Sequence, residues 1–139
     1  MAAIPASARR VLESDALAHL ATIEPDGAPQ MSCVWVGLDG DEIVFASLGP
    51  RRKIDNIRRD PRVTLSLQTD HINELGLREY LVVHGRARVT EGGGPELLQH
   101  LAHTYLGPDV RFPPMDDPPP GMVVRIAVDR LGGVGPWAG

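Results

Sequence analysis

The chain has 139 residues, 42% hydrophobic and 23% charged, a balance that suits one soluble globular domain over 1–139 and excludes wholesale disorder. It carries 18 acidic against 14 basic residues, and a net charge of -4 argues against a protein that coats nucleic acid. No apolar run nears the ~20 residues of a membrane span, and the N-terminus lacks a basic region followed by an apolar one. The one cysteine, Cys33, permits neither an intrachain disulfide nor a CxxC zinc site, so the expected compartment is the cytoplasm.

Pro5 to Ser14 reads as a short helix, with Ala8, Val11 and Leu12 at helical spacing. Leu17 to Ile23 is the first predicted strand, and Asp26-Gly27 the turn after it. Met31 to Val36 and Glu42 to Ser47 follow as strands two and three around the Asp39-Gly40 turn, an antiparallel meander. Gly49-Pro50 breaks it, and Arg51 to Arg59 reads as a helix with Ile54 and Ile57 inward, stopped at Asp60-Pro61. Arg62 to Gln68 alternates apolar and polar as strand four. Thr69 to Gly76 reads as irregular. Tyr80 to Val89 is a long strand five, in which Gly85 marks a bulge or a barrel corner. After a Gly92-Gly93-Gly94 hinge, Pro95 starts a third helix that runs through Tyr105 and ends at Gly107-Pro108. Pro113 to Pro120 is a surface loop, Met122 to Val128 strand six, and Leu131 to Gly139 a glycine-rich tail carrying Trp137. The sum is a mainly β fold, a six-stranded antiparallel barrel with flanking helices.

Few residues suggest catalysis. His100 and His103 are one turn apart on a predicted helix, with no third metal ligand nearby, so no metal is expected. Cys33 lies in an apolar strand with no activating base and reads as a small buried hydrophobe. The chain holds no GxSxG elbow, no GxGxxG and no phosphate loop. The strongest feature is charge placement. Arg51, Arg52, Lys53, Arg58, Arg59 and Arg62 gather six of the 14 basic residues, and Lys53 is the only lysine. This cluster is either a solvated helix face balanced by Asp55 and Asp60 or an anion site. Arg51-Arg52-Lys53 opens the helix, where basic side chains oppose the dipole unless an anion joins them. A phosphate would satisfy the backbone and the side-chain donors together.

The run Leu17-Ala18-His19-Leu20-Ala21-Thr22 with Asp26-Gly27-Ala28-Pro29 resembles the opening of the pyridoxamine 5'-phosphate oxidase-like split-barrel family. Arg51 to Val63 is similar to that family's phosphate-binding segment, and its form resembles the actinobacterial branch that binds the deazaflavin coenzyme F-420. Leu131 to Trp137 also resembles that branch. The resemblance implies a six-stranded split barrel, FMN-binding-like, forming a homodimer with the cofactor at the interface. It implies that Arg51, Arg52 and Lys53 bind the cofactor phosphate, and that Ser32, Cys33, Val34 and Trp35 lie along the flavin. It further places Ala46 and Ser47 near the ring and ribityl chain, Asn56 at a recurrent position, and Tyr80 and Trp137 approaching from the partner chain. Ser32 stands where true pyridoxamine 5'-phosphate oxidases carry a basic residue, which argues against pyridoxine chemistry.

The implied activity is hydride transfer from reduced coenzyme F-420 to an electron-poor unsaturated small molecule. The cofactor supplies the chemistry, and the protein supplies binding, orientation and exclusion of water. No side chain stands out as a catalytic acid or base; solvent or a hydroxyl such as that of Tyr80 would give the proton. The alternatives are an FMN-dependent reductase or oxidase of the same fold, and a non-catalytic flavin carrier. An oligonucleotide-binding barrel would need aromatic platforms, and aromatics are only 4% of the chain.

Overall fold

The computed structural model describes residues 3–138. Ten elements follow one another: α1 (Ala6–Leu12), β1 (Ala18–Ile23), β2 (Pro29–Val34), β3 (Gly37–Asp39), β4 (Glu42–Ser47), α2 (Arg52–Arg59), β5 (Arg62–Ile72), β6 (Arg78–Glu91), α3 (Gly94–Tyr105) and β7 (Met122–Val134). The expected mainly β, antiparallel architecture with flanking helices is present, but the six-stranded split barrel is corrected in strand number to one open sheet of seven strands, ordered β2-β1-β5-β6-β7-β4-β3. The additional strand is β3, whose Gly37, Leu38 and Asp39 pair with Val44, Ile43 and Glu42 across the Asp39-Gly40 turn. No pairing joins β2 to β3, the two edges. They are nonetheless consecutive in the chain, with only Trp35 and Val36 between them. Two intervening residues span about 10 Å at most. The sheet must therefore curl until its free edges meet, and Trp35 sits at that split.

Two stretches expected to be irregular belong to strands. β5 continues to Ile72 and pairs with Arg78 beyond a register shift, and β7 continues through Gly132 and Gly133 to Val134. Gly133 marks close packing against β6, whereas a Cβ on Gly132 would meet nothing within 4 Å. A Cβ on Gly133 would stand 2.2 Å from the Tyr80 carbonyl oxygen, at a φ of +94°. Gly85 does mark a bulge: the β6·β7 register shifts between His84 and Gly85, and a Cβ there would lie 2.5 Å from the Ala127 carbonyl oxygen. The 92–94 run is tied down rather than free, since Gly92 N–H donates to Gly121 O at 2.8 Å and Gly94 N–H to Pro120 O at 2.9 Å.

The inner sheet face carries the core. Leu20, Ile43, Phe45, Leu65, Leu67, Leu81, Val83, Val124 and Ile126 are fully buried there, with Leu12 from α1 and Ile54 from α2 closing the ends. No helix is long and apolar enough to cross a membrane among the described residues.

Candidate functional site

α2 begins where the β4 strand has left the sheet. Arg51 is its N-cap, in extended geometry and without a side-chain cap; its carbonyl accepts from Ile54 N–H at 3.0 Å, but the Arg52 and Lys53 N–H groups have no capping side chain from it. Ile54 and Ile57 bury the inner face of the helix. That burial holds Lys53 at the mouth of a cleft of about 230 Å³, whose other walls include Cys33, Val34, Trp35 and Ala46. Leu17, Leu98 and Phe112 complete its lining. Lys53 is the one charged group among these lining residues. It is half-buried and meets no carboxylate within ion-pair distance among the described residues. Burial, and then the neighbouring Arg51 charge, hold the Lys53 ammonium below its ordinary pKa. An anion beside it would relieve both effects.

Arg51 and Arg52 are exposed at the same helix end. Arg52 reaches Glu24 at 3.3 Å, whereas Arg51 has no ion-pair partner among the described residues. The other arginines of the cluster have partners: Arg58 with Glu91, Arg59 with the Ile23 carbonyl and Asn56, and Arg62 with Asp60. Within this cluster, among the described residues, the cations without an ion-pair or hydrogen-bond partner are thus Arg51 and Lys53, at the start of α2.

Of the sequence-predicted residues, Cys33, Val34, Trp35, Ala46 and Lys53 come together in the cleft. Ser32 shares the inner face of β2 with Val34 but does not line the cleft, and its Oγ is buried without a partner among the described residues. Ser47 is buried and spends its hydroxyl on the Gly49 carbonyl at 2.6 Å. Asn56 is buried under α2 and bonds Thr22 at 3.0 Å. Tyr80 lies exposed on the outer sheet face, away from the same chain's cleft. Trp137 lines a second cavity of about 520 Å³ with Arg10, Asp15, Asp70, His71 and Glu79, on the far side of the Ala16-Leu17 segment. Three carboxylates make that larger cavity a poor phosphate site. One expectation needs correction: Cys33 is exposed, not buried, because β2 is an edge strand whose outer face nothing covers.

The sequence pointed to Trp35 but not to the two rings packed against it, Tyr105 and Phe112. Trp35 stacks on Tyr105, with ring centroids 5.5 Å apart and planes 12° apart, and meets Phe112 edge-on at 5.1 Å. The Tyr105 hydroxyl accepts from Val36 N–H at 3.1 Å and donates to the Ala16 carbonyl at 2.9 Å. Burial raises the Tyr105 phenol pKa, so this hydroxyl stays neutral and serves as a fastener. Phe112 had a readable signal: it is one of only two phenylalanines, placed in a proline-rich loop where no core demands it.

The cleft combines a cation with no ion-pair partner among the described residues, at a helix N-terminus, with an aromatic and aliphatic lining, so it suits an anion joined to an apolar group. The family model described as "Pyridoxamine 5'-phosphate oxidase" matches residues 4–135. A solved structure titled "F420 Reductase" is 26% identical, covers 93% of this chain and 98% of its own, and superposes with a TM-score of 0.74. The conserved hypothetical protein Rv2991 from Mycobacterium tuberculosis is 25% identical over 96% of this chain and 85% of its own, with a TM-score of 0.70. HupZ from Group A Streptococcus shares the fold at 18% identity, covering 97% of each chain with a TM-score of 0.68. With the family model spanning nearly its whole length, the chain belongs to the pyridoxamine 5'-phosphate oxidase-like family.

Proposed function

We propose that the protein is an oxidoreductase that binds coenzyme F-420 in the Lys53 cleft and passes its hydride to a small unsaturated molecule. The observation that carries this reading is Lys53: a half-buried ammonium without a carboxylate partner among the described residues, at a helix N-terminus, lining an otherwise uncharged cleft. The likeness to the F420 reductase structure supports the deazaflavin over FMN. A bound deazaflavin would supply the hydride. Lys53 and Arg51 with the α2 N–H groups would hold its phosphate, and Cys33, Val34, Trp35 and Ala46 would orient the ring and keep water from it. No lining residue is an acid or a base apart from Lys53 and Cys33, so the proton that follows the hydride is assigned to solvent or to a group from a second subunit.

The working unit is a homodimer. At about 230 Å³ the cleft is smaller than the ~300–1,000 Å³ of ordinary small-molecule sites, and a second copy would add a wall to enclose a cofactor. Met31, Ala21, Thr64, His84 and Tyr80 share the outer face of β2, β1, β5 and β6 by register, and no helix covers them. Met31 is 58% exposed and Tyr80 40%. This face, continuous with exposed Cys33, is where a second copy would close the cleft.

Titration with coenzyme F-420 and with FMN, read by ring absorbance and calorimetry, tests the reading. Tighter coenzyme F-420 binding, lost in Lys53→Ala, is expected. Saturable FMN binding without deazaflavin binding would move the protein to the FMN-dependent class, and binding of neither would remove the proposal.

A further inference from the structure

The segment between α3 and β7 forms no helix or strand, yet it brings Phe112 into the cleft. One side chain fastens it. Gln99 Nε2 donates to the Val110 carbonyl at 2.8 Å, and Phe112 N–H donates to Gln99 Oε1 at 3.1 Å. These two bonds fix the amide's orientation, because a carbonyl only accepts and a backbone N–H only donates. Gln99 Nε2 also lies 3.0 Å from His103 Nε2, one helical turn away. Since the amide nitrogen only donates, that ring nitrogen accepts.

Among the described residues, Gln99 makes the only hydrogen bonds between residues 110–118 and elements outside the loop; Arg111 bonds within it, to Met115 O and Asp116. The two sides of the aromatic wall are therefore held very differently. Trp35 is backed by Tyr105, whose hydroxyl is pinned to Val36 and Ala16. Phe112 rests edge-on against Trp35 and depends on Gln99 for its backbone position.

We propose that Gln99 is a positioning residue, a two-point clamp that holds Phe112 as the movable wall of the cleft and so sets the width offered to the ligand. The clamp stands on this hydrogen-bond geometry; its effect on binding rests on the cleft being the ligand site. Releasing the amide frees the loop and swings Phe112 from Trp35, while the core keeps all its contacts. Gln99→Leu removes both bonds at similar shape. Gln99→Glu keeps the acceptor for Phe112 N–H but sets a carboxylate against the Val110 carbonyl, so it half-opens the clamp.

The test uses the full chain in a Trp137→Phe background, which leaves Trp35 as the only tryptophan. Acrylamide quenching of Trp35 should rise at least about twofold in Gln99→Leu, with Gln99→Glu between it and the parent, at unchanged far-ultraviolet circular dichroism. Phe112→Ala should reproduce the Gln99→Leu value. Unchanged quenching in folded Gln99→Leu, or equal quenching in the Leu and Glu variants, overturns the clamp. Coenzyme F-420 and FMN titrations of the same variants and of Lys53→Ala separate the two readings. If quenching rises as expected while neither ligand binds the parent protein, the clamp stands and the cleft assignment fails.

Discussion

Asn56 on α2 donates its side-chain amide to the Thr22 hydroxyl on β1 at 3.0 Å, with both residues buried. The bond is the centre of a directed chain. Arg59 Nη1 donates to Asn56 Oδ1 at 3.2 Å, and the Thr22 hydroxyl donates to Gln30 Oε1 on β2 at 2.9 Å. The helix that presents Lys53 is thereby tied to two strands through polar groups that alternate donor and acceptor without conflict. Asn56 acts under the helix rather than on a ligand.

Removing that amide should cost stability more than binding. Asn56→Ala leaves the Thr22 oxygen and the Arg59 guanidinium short of a partner, at a cost of about 1–3 kcal/mol. Urea unfolding should show a lower midpoint with an unchanged slope. Affinity for a phosphate-bearing ligand should fall less than in Lys53→Ala; an equal or greater loss in a well-folded Asn56→Ala would return Asn56 to the ligand contacts.

Asp60 predicts a small acid limb. It accepts from Arg62 through Nη2 at 2.8 Å, Nε at 3.1 Å and the backbone N–H at 3.2 Å. The side-chain bonds first, then the backbone bond, lower its pKa to about 2. A carboxyl depressed in the folded state contributes stability above its unfolded value of about 3.9 and loses it as pH falls toward the folded value. Asp60→Asn should therefore flatten the fall in melting temperature between about pH 4 and pH 2. Added salt should shrink the difference, because the pair is exposed. Parallel melting curves for the two proteins in that window would discount the pair.

Much of the fold was legible because the strands of the meander alternate and the turns carry Asp-Gly and Asp-Pro signals. β1, β4 and the three helices fall close to their sequence-based positions, and β5 starts where expected but runs on to Ile72. The errors share one physical origin. Gly132 and Gly133 look like a tail locally, but β6 offers a 14-residue template that keeps β7 paired to Val134. β3 is three residues long, too short for any pattern, and exists because β4 pairs with it. The basic cluster at the start of α2 was visible from charge, which left a solvated helix face and an anion site both open. The aromatic wall was not. Trp35 is far in sequence from Tyr105 and Phe112 and meets them only once the sheet has curled and α3 has docked beside its split.

The bulge makes a third prediction. A Cβ at Gly85 would press on the Ala127 carbonyl oxygen at 2.5 Å and on the Ile126 side chain at 2.9 Å. The contact is to paired backbone, so relief requires the β6·β7 ladder to part. Gly85→Ala should destabilise by about 1–3 kcal/mol, seen in urea unfolding. A neutral result would mean that the strands separate here at little cost.

Association can be tested on the outer face. Met31→Glu puts a charge on an exposed position of edge strand β2, away from the core, so the monomer should still fold. Sedimentation at micromolar concentration should show a dimer for the parent chain and a monomer for this variant. Bound coenzyme F-420 should weaken in step, since the cleft would lose its second wall. A Met31→Glu dimer would place the interface elsewhere.

Lys53 supplies the sharpest test, because its charge is a liability to the fold and an asset to a ligand. Burial and Arg51 hold its pKa below the ordinary value, so the folded state binds its proton less readily than the unfolded chain does. For a base with a depressed folded pKa, the charged form subtracts stability below the folded value. That penalty fades as pH rises toward the unfolded one. Lys53→Ala should therefore melt at the same temperature as the parent or slightly higher near neutral pH. Binding should move the opposite way. Loss of a charge-assisted hydrogen bond to phosphate costs about 1.5–3 kcal/mol, or about ten- to a hundredfold in affinity. Lys53→Arg should recover only part of this, because a planar fork does not fit a point donor's place. In the parent chain, affinity should decline with rising alkaline pH before the ordinary lysine range is reached. Calorimetric titration across that range beside melting curves measures both quantities at once, and unchanged affinity in a folded Lys53→Ala would remove the phosphate from this helix.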